Sequence, residues 1–228
     1  QKILGVPIGI IESDWGGTLI EPWMDKASLS SFPGVKIPAL NDTTKAGPNR
    51  PTCLFNAMIA PVTGYGIKGF LWYQGESNAG KPTGYDKLMA AMVNGWRKLW
   101  NRDTLSFYYV QIAPFTYGDN YVGAILREQQ EKVLALDKTG MVVTTDITAD
   151  TTNIHPPDKH DVGYRLADLA LNETYNQNAK DYKSALYKSM TVENNKVIID
   201  FYNAENGLTI KGDDIKALYI AGKDSVFY

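Results

Sequence analysis

Apolar residues along this chain gather in short β-branched and aromatic runs that alternate with longer stretches of helical spacing. Val6 to Ile11 is such a run, followed by Glu12-Ser13-Asp14-Trp15-Gly16-Gly17-Thr18, and it reads as a buried strand feeding a glycine-containing loop. Ile67 to Tyr73 repeats the arrangement and delivers Gln74-Gly75-Glu76-Ser77-Asn78. Leu105 to Ile112 and Met141 to Thr145 are further strands, the last running into Asp146. Between them, Tyr85, Leu88, Met89, Met92, Val93, Trp96, Leu99 and Trp100 recur at three- and four-residue spacing, which puts them on one stripe of a helix. Weaker helical patterns cover 122–136 and 161–176. Strands alternating with helices of this length predict an α/β fold with a mostly parallel sheet, and such sheets bind ligands beyond the carboxyl ends of their strands.

From about residue 188 the texture changes. Met190-Thr191-Val192, Lys196 to Phe201 and Ala217 to Ile220 are strand-like and are separated by Asn-Asn, Asn-Gly and Gly-Asp turn signals. A domain boundary is expected near Tyr187, with 1–187 as the α/β domain and 188–228 as the start of a β-sandwich appendage. The stretch 26–52 reads as a long loop. Gln1-Lys2-Ile3-Leu4-Gly5 has the chemistry of a helix end, and the chain stops within a strand-like stretch, so a fragment of a longer protein is expected.

Composition narrows the chemistry. With 228 residues, 44% hydrophobic, 21% charged and a formal net charge of −2, the chain has the make-up of an ordinary globular domain. No cluster of Lys and Arg provides a footprint for nucleic acid or an anionic membrane. No apolar run approaches the roughly 20 residues of a membrane helix, so no membrane span is expected. A lone Cys53 excludes a disulfide within the chain and any multi-cysteine metal site.

Histidines are scarce, and His155 follows a predicted strand end and precedes a helix, where it can reach the sheet's binding edge. That suits a general base, because imidazole titrates near neutrality; a loop histidine held by a backbone hydrogen bond is the plainer alternative. His160 reads as a solvated residue at a helix start. Glu76 could orient a histidine and stabilise its protonated form, while Gln74 and Asn78 are amide donors suited to an oxyanion. A glycine turn with polar residues facing water would look the same. Gly16 and Gly17 could offer backbone N–H groups to an anion or form a tight turn. Ser13 and Ser77 are hydroxyls at strand ends, without a Gly-x-Ser-x-Gly elbow. Trp15, Trp23, Trp72 and Tyr73 could stack on sugar rings or fill the core. Arg127, next to Glu128, reads as a substrate or loop clamp or as half of a surface ion pair.

In combination, Val6 to Thr18, Leu54-Phe55-Asn56-Ala57-Met58-Ile59-Ala60-Pro61, Gly69 to Asn78, Leu126-Arg127-Glu128-Gln129-Gln130 and Ile154-His155-Pro156-Pro157-Asp158-Lys159 resemble the sialate O-acetylesterase family of the SGNH hydrolases, which includes acetylxylan esterases. The resemblance runs collinearly over about residues 2–225. It implies a flavodoxin-like three-layer α/β sandwich followed by a β-rich domain. It further implies hydrolysis of O-acetyl esters on sialic acid or xylan-type glycans, no cofactor or metal, and a secreted or periplasmic location. By the same resemblance His155 is the catalytic histidine, the Gly16-Gly17 loop the glycine block of the oxyanion hole, and Gln74 to Asn78 the third block. The family often has Asp two residues before the histidine, whereas this chain has Asn153, which leaves Glu76, Asp150 or Asp146 as the acid; Glu76 is favoured. The family's nucleophile, a serine in Gly-Gln-Ser-Asn upstream of the first strand, has no counterpart here, so the nucleophile is expected outside this chain.

Two other functions stay open on the residues alone. Glu76 with Asp150 or Asp146 could act as the carboxylate pair of a glycoside hydrolase. A non-catalytic carbohydrate-binding protein would need no nucleophile.

Overall fold

The protein is described by a computed structural model covering residues 1–228 apart from 40, 43–46, 119–120, 179–181, 210–212, 214, 216–218, 225 and 227–228. The chain divides into two compact units, Gln1–Asn178 and Ala179–Tyr228. In the first, three parallel strands lie in the order β1 (Gly69–Trp72), β2 (Ser106–Val110), β3 (Thr139–Val142). Crossovers between them are made by α2 (Tyr85–Leu99) and by α3 (Val122–Lys132); a short α1 (Lys26–Leu29) precedes the sheet and α4 (Lys159–Glu173) follows it.

The strand alternation sorts the layers. Ser106 and Tyr108 of β2 reach Thr174 beyond the end of α4, at 2.8 and 2.7 Å between hydroxyl oxygens. Phe107 and Tyr109 point the other way: Phe107 meets Trp96 of α2, and the Tyr109 hydroxyl donates to the Gln130 carbonyl of α3 at 2.7 Å. Side chains of successive strand residues face opposite ways, so α4 covers one face and α2 with α3 the other. This is a three-layer α/β sandwich. Every residue of β2 is buried, as befits a central parallel strand covered on both faces.

The stripe expected on α2 is the core-facing one. Tyr85, Met89, Met92, Val93 and Trp96 are buried, while Leu99 at the last turn is exposed. Trp96 joins Phe70, Trp72, Phe107 and Trp23 in an aromatic cluster with centroids 5.2–6.5 Å apart. Trp23 and Trp72 are therefore core residues and no sugar platform. Beneath the sheet, buried Arg97 of α2 donates to the carbonyls of Leu105, Asp137 and Lys138 at 2.9, 2.7 and 3.2 Å.

The run Val6–Ile11 departs from expectation. It is extended without a strand partner among the described residues, and Ile10 is 84% exposed. An apolar β-branched run becomes a buried strand only beside a neighbouring strand, and none lies alongside it here. Leu71, on the face of β1 away from α2, is likewise 59% exposed. The described residues of the 26–52 stretch are loop and turn apart from α1, and Gly5 closes a turn on the Gln1 carbonyl at a φ of +66°.

The second unit is built on an antiparallel hairpin of β4 (Leu186–Glu193) and β5 (Lys196–Tyr202). Its turn, Asn194-Asn195, has positive φ at both residues, the backbone that asparagine tolerates and that two-residue hairpins require. Of the run Ala217 to Ile220, Ala217 and Leu218 lie outside the described residues, and Tyr219 and Ile220 are in no strand.

Candidate active site

The carboxyl ends of the three strands carry the site. After β1 the chain turns at Gly75, whose φ of +154° and confined surroundings both demand glycine: a Cβ would lie 2.7 Å from Ile112 Cγ2 and 3.1 Å from Gln130 Nε2. A single 3-10 turn, Glu76–Asn78, follows. Its neighbours are held from several sides. Gln74 Nε2 donates to the Thr18 carbonyl and to Asn78 Oδ1, both at 2.8 Å, and the Tyr85 hydroxyl donates to Gln74 Oε1 at 2.8 Å. Asn78 Oδ1 also accepts from the Ile20 amide at 3.0 Å, and Asn78 Nδ2 donates to Glu21 Oε2 at 3.3 Å. Fully buried Gln130 closes the network, accepting from the Ile112 amide at 2.9 Å and donating to the Gln74 carbonyl at 3.3 Å.

Glu76 is the electrostatic centre. Burial pushes its carboxyl above the usual carboxylate range; its own backbone amide and the charges of His155 and Lys159 pull in the opposite direction without cancelling that push. The carboxylate and the imidazole therefore share one field. The Tyr73 phenol is pushed up to about 12 by burial and by the Glu76 charge.

His155 stands exposed on the loop that leads into α4. Asn153 Oδ1 accepts from the His155 backbone amide at 2.9 Å, an Asx turn in the place where the resemblance leads one to expect a carboxylate. Lys159, in the first turn of α4, donates to the Pro156 carbonyl at 2.6 Å and lies 5.2 Å from the Tyr73 ring centroid, joining the His155 loop to the Glu76 loop.

The two other candidate acids are committed elsewhere. Asp146 forms a forked ion pair with Arg165 at 2.8 and 2.6 Å. Asp150 Oδ1 accepts from the amide and hydroxyl of Thr152 at 2.8 and 2.6 Å, which holds its carboxyl below the usual range. Gly16 and Gly17 form an exposed turn whose next residue, Thr18, is buried and takes the Gln74 amide, so the glycine loop is tied to the β1 end. Trp15 is 54% exposed beside it. The Ser13 hydroxyl donates to the Met58 carbonyl at 3.3 Å, and Ser77 is exposed on the 3-10 turn. His160 is exposed and pairs with Asp161. Among the described residues no group of three or more His, Cys, Asp or Glu side chains gathers to hold a metal ion.

A family model described as carbohydrate esterase, sialic acid-specific acetylesterase, matches residues 2–172. The chain belongs to this family. Human sialate O-acetylesterase is 31% identical in an alignment covering 72% of this chain and 35% of that protein. The mouse sialate O-acetylesterase is 28% identical, covering 72% of this chain and 38% of its own length. A crystal structure of a carbohydrate acetylesterase from Xanthomonas citri superposes with a TM-score of 0.81 at 37% identity, covering all of this chain and 50% of the other. This acetylesterase-family chain thus spans about a third of the curated relatives' length and half of the solved one.

Three site residues escaped sequence reasoning in this acetylesterase-family chain: Lys159, Gln130 and Tyr117. Gln130 stood in the recognised Leu-Arg-Glu-Gln-Gln stretch and Lys159 in the His155 motif, so position was available while role was not. Tyr117 lies past the end of β2, in Ala113-Pro114-Phe115-Thr116-Tyr117, where no motif marks it. There a cavity of about 460 Å³ opens, lined by Phe115, Tyr117, Tyr121, Gly123, Arg127 and Thr151 among others. Glu128, beside Arg127, pairs instead with Lys132 at 2.8 Å.

Proposed function

We propose that the full-length protein hydrolyses O-acetyl esters on carbohydrates by serine-type acyl transfer, with His155 as general base and Glu76 as the acid that orients it. The observation that supports this reading is that Lys159, bonded to the Pro156 carbonyl and lying 5.2 Å from the Tyr73 ring centroid, brings the His155 loop and the Glu76 loop together at the strand ends of an acetylesterase-family domain. His155 takes the proton of a serine hydroxyl as its oxygen attacks the acetyl carbonyl. The imidazolium returns that proton to the departing sugar oxygen, leaving the acetyl group on serine. A water, deprotonated by His155, then releases acetate and frees the serine. Glu76 stabilises the imidazolium in each half. The Gly17 amide and the Asn78 side chain serve as oxyanion donors; Glu21 takes up one of the two Asn78 amide hydrogens, leaving the other for substrate.

The nucleophile in this reading comes from outside residues 1–228. Ser13 is tied to a backbone carbonyl, and the exposed apolar surface of Ile8, Ile10, Ile11 and Leu71 is the kind that a further segment would cover. The substrates are acetylated sialic acid or xylan-type glycans, and the protein works outside the cytoplasm, in the periplasm or secreted.

The test treats the full-length protein with a serine-reactive phosphonate, maps the adduct, and follows acetate release from O-acetylated sialic acid and from acetylxylan. Expected are an adduct upstream of Val6 and release from at least one substrate. An adduct on Ser13 or Ser77 would overturn the placement of the nucleophile, and release of free sugar without acetate would overturn the esterase.

A further inference from the structure

The Arg127 guanidinium has no hydrogen-bond or ion-pair partner among the described residues, although it is half buried and burial disfavours its charge, whereas the Arg127 backbone carbonyl accepts from Gln111 Nε2 at 3.1 Å. A cation in that position ordinarily finds an anion. Close to it is a second donor without a partner among the described residues: the Tyr117 hydroxyl is buried and hydrogen-bonded to none of them. Buried polar atoms are satisfied in the great majority of cases, so an orphan donor marks a place where something else supplies the acceptor. The two groups meet over Gly123, where a Cβ would come within 2.9 Å of the Tyr117 ring and 3.8 Å of Arg127 Nη1. A glycine at that point leaves the ring and the guanidinium room to lie together on the start of α3.

The surroundings indicate what kind of acceptor would fit. The cavity is walled by the rings of Phe115, Tyr117 and Tyr121, with the first two edge-to-face at 4.9 Å. Flat aromatic walls suit a sugar ring. At one side the cavity reaches Thr151, whose carbonyl accepts from the Thr116 amide at 2.9 Å and which lies on the segment leading to His155. The Glu76 charge acts on the Tyr117 phenol, so cavity and Glu76 are electrostatic neighbours.

We propose that Arg127 and Tyr117 form a carboxylate-binding subsite that selects a sugar acid over a neutral sugar. The guanidinium takes the two carboxylate oxygens as a fork, the Tyr117 hydroxyl donates a third hydrogen bond, and the sugar ring lies along the aromatic wall. A nonulosonic acid and a uronic acid share this chemistry. The assignment of the cavity to substrate rests on the esterase reading above.

The test is calorimetric titration of the full-length protein with N-acetylneuraminate, its C1 amide, glucuronate and xylose. The wild type is expected to bind N-acetylneuraminate at least tenfold more tightly than the amide, since a charge-assisted pair separates the two. In Arg127→Gln this ratio should fall to about one, and in Tyr117→Phe, which removes a single hydroxyl, it should fall severalfold. Tighter binding of glucuronate than of N-acetylneuraminate would keep the subsite and assign it to uronic acids. Equal binding of acid and amide by the wild type, which needs no variant to fold, would overturn the subsite, as would a ratio unchanged in Arg127→Gln. Turnover of 4-nitrophenyl acetate by the same wild-type preparation separates the two readings. Turnover without discrimination between acid and amide sinks the subsite alone; discrimination without turnover sinks the esterase and leaves an acidic-sugar binding site.

Discussion

The two sides of the candidate site are held in opposite ways. The Glu76 side is fixed from afar: Thr18, Ile20, Tyr85 and Gln130 all bind Gln74 or Asn78 across the chain. The His155 side is fixed mainly by its own neighbours, through Asp150 to Thr152, Asn153 to His155 and Lys159 to Pro156. Its long-range ties are the Thr116–Thr151 backbone bond and Lys159 against Tyr73. Long-range ties couple a side chain's position to global stability, whereas local turns hold it with little stake in the rest of the fold. Substitutions on the Glu76 side should therefore change stability and activity together, and those on the His155 side should change activity alone.

The sharpest separation is expected at His155. If His155 is the general base proposed above, His155→Ala in the full-length protein should lower kcat by roughly 10³-fold or more, because members of a catalytic unit act together, while the thermal midpoint stays within about 2 °C, as expected for an exposed side chain. Kinetics with 4-nitrophenyl acetate beside a melting curve checks both halves, and a large fall in midpoint would break the comparison.

Glu76→Gln should lower kcat by roughly 10²- to 10⁴-fold, the range seen when a triad acid loses its charge. Its stability signature has a definite sign. Burial raises the folded-state pKa of Glu76, so its favourable contribution is present below the unfolded-state pKa and is lost as pH rises through the folded value. The midpoint of Glu76→Gln relative to wild type should thus be more favourable at pH 8 than at pH 4. A difference independent of pH would remove the buried charge from the argument.

A smaller effect on rate but a larger one on stability is expected for Gln130→Leu. It strands the Ile112 amide and leaves the Gln74 carbonyl with the Tyr85 hydroxyl at 3.3 Å, and a buried group left unpaired costs about 1–3 kcal/mol. Urea unfolding measures this, and kcat should fall with it because the Glu76 loop loses a support.

Lys159→Ala should have the mildest consequence, a severalfold loss in kcat/KM with the midpoint almost unmoved. In the proposed mechanism Lys159 positions the His155 loop against the Glu76 loop, and its charge also draws the Glu76 pKa down. Its removal should move the acidic limb of the pH–rate profile to higher pH, and Lys159→Arg should restore the limb.

The same contrast accounts for what was legible in the sequence. The α2 stripe and the β1 and β2 runs could be read because periodicity reports burial directly. Glu76 and His155 could be placed because each follows a strand and strand ends converge in a parallel sheet. Long-range partners could not be read. Nothing local to Gln130 announces that it will bind the Gln74 carbonyl more than fifty residues away, and Trp72 looks alike whether it stacks on a sugar or on Trp23. Val6–Ile11 failed for a related reason: its composition states a readiness to pair, and pairing requires a neighbour.

Arg97 carries a consequence for how the domain comes apart. Its guanidinium is buried without a carboxylate partner and is satisfied by three carbonyls, one just before β2 and two just before β3, while its backbone belongs to α2. Withdrawing β3 alone would strip acceptors from a charge that cannot be neutralised by losing a proton. Partial opening is thereby penalised at the end of the sheet opposite the chemistry. In amide exchange, α2, β2 and β3 should open as one cooperative unit with a shared free energy, beneath an active-site edge whose His155 loop exchanges far sooner.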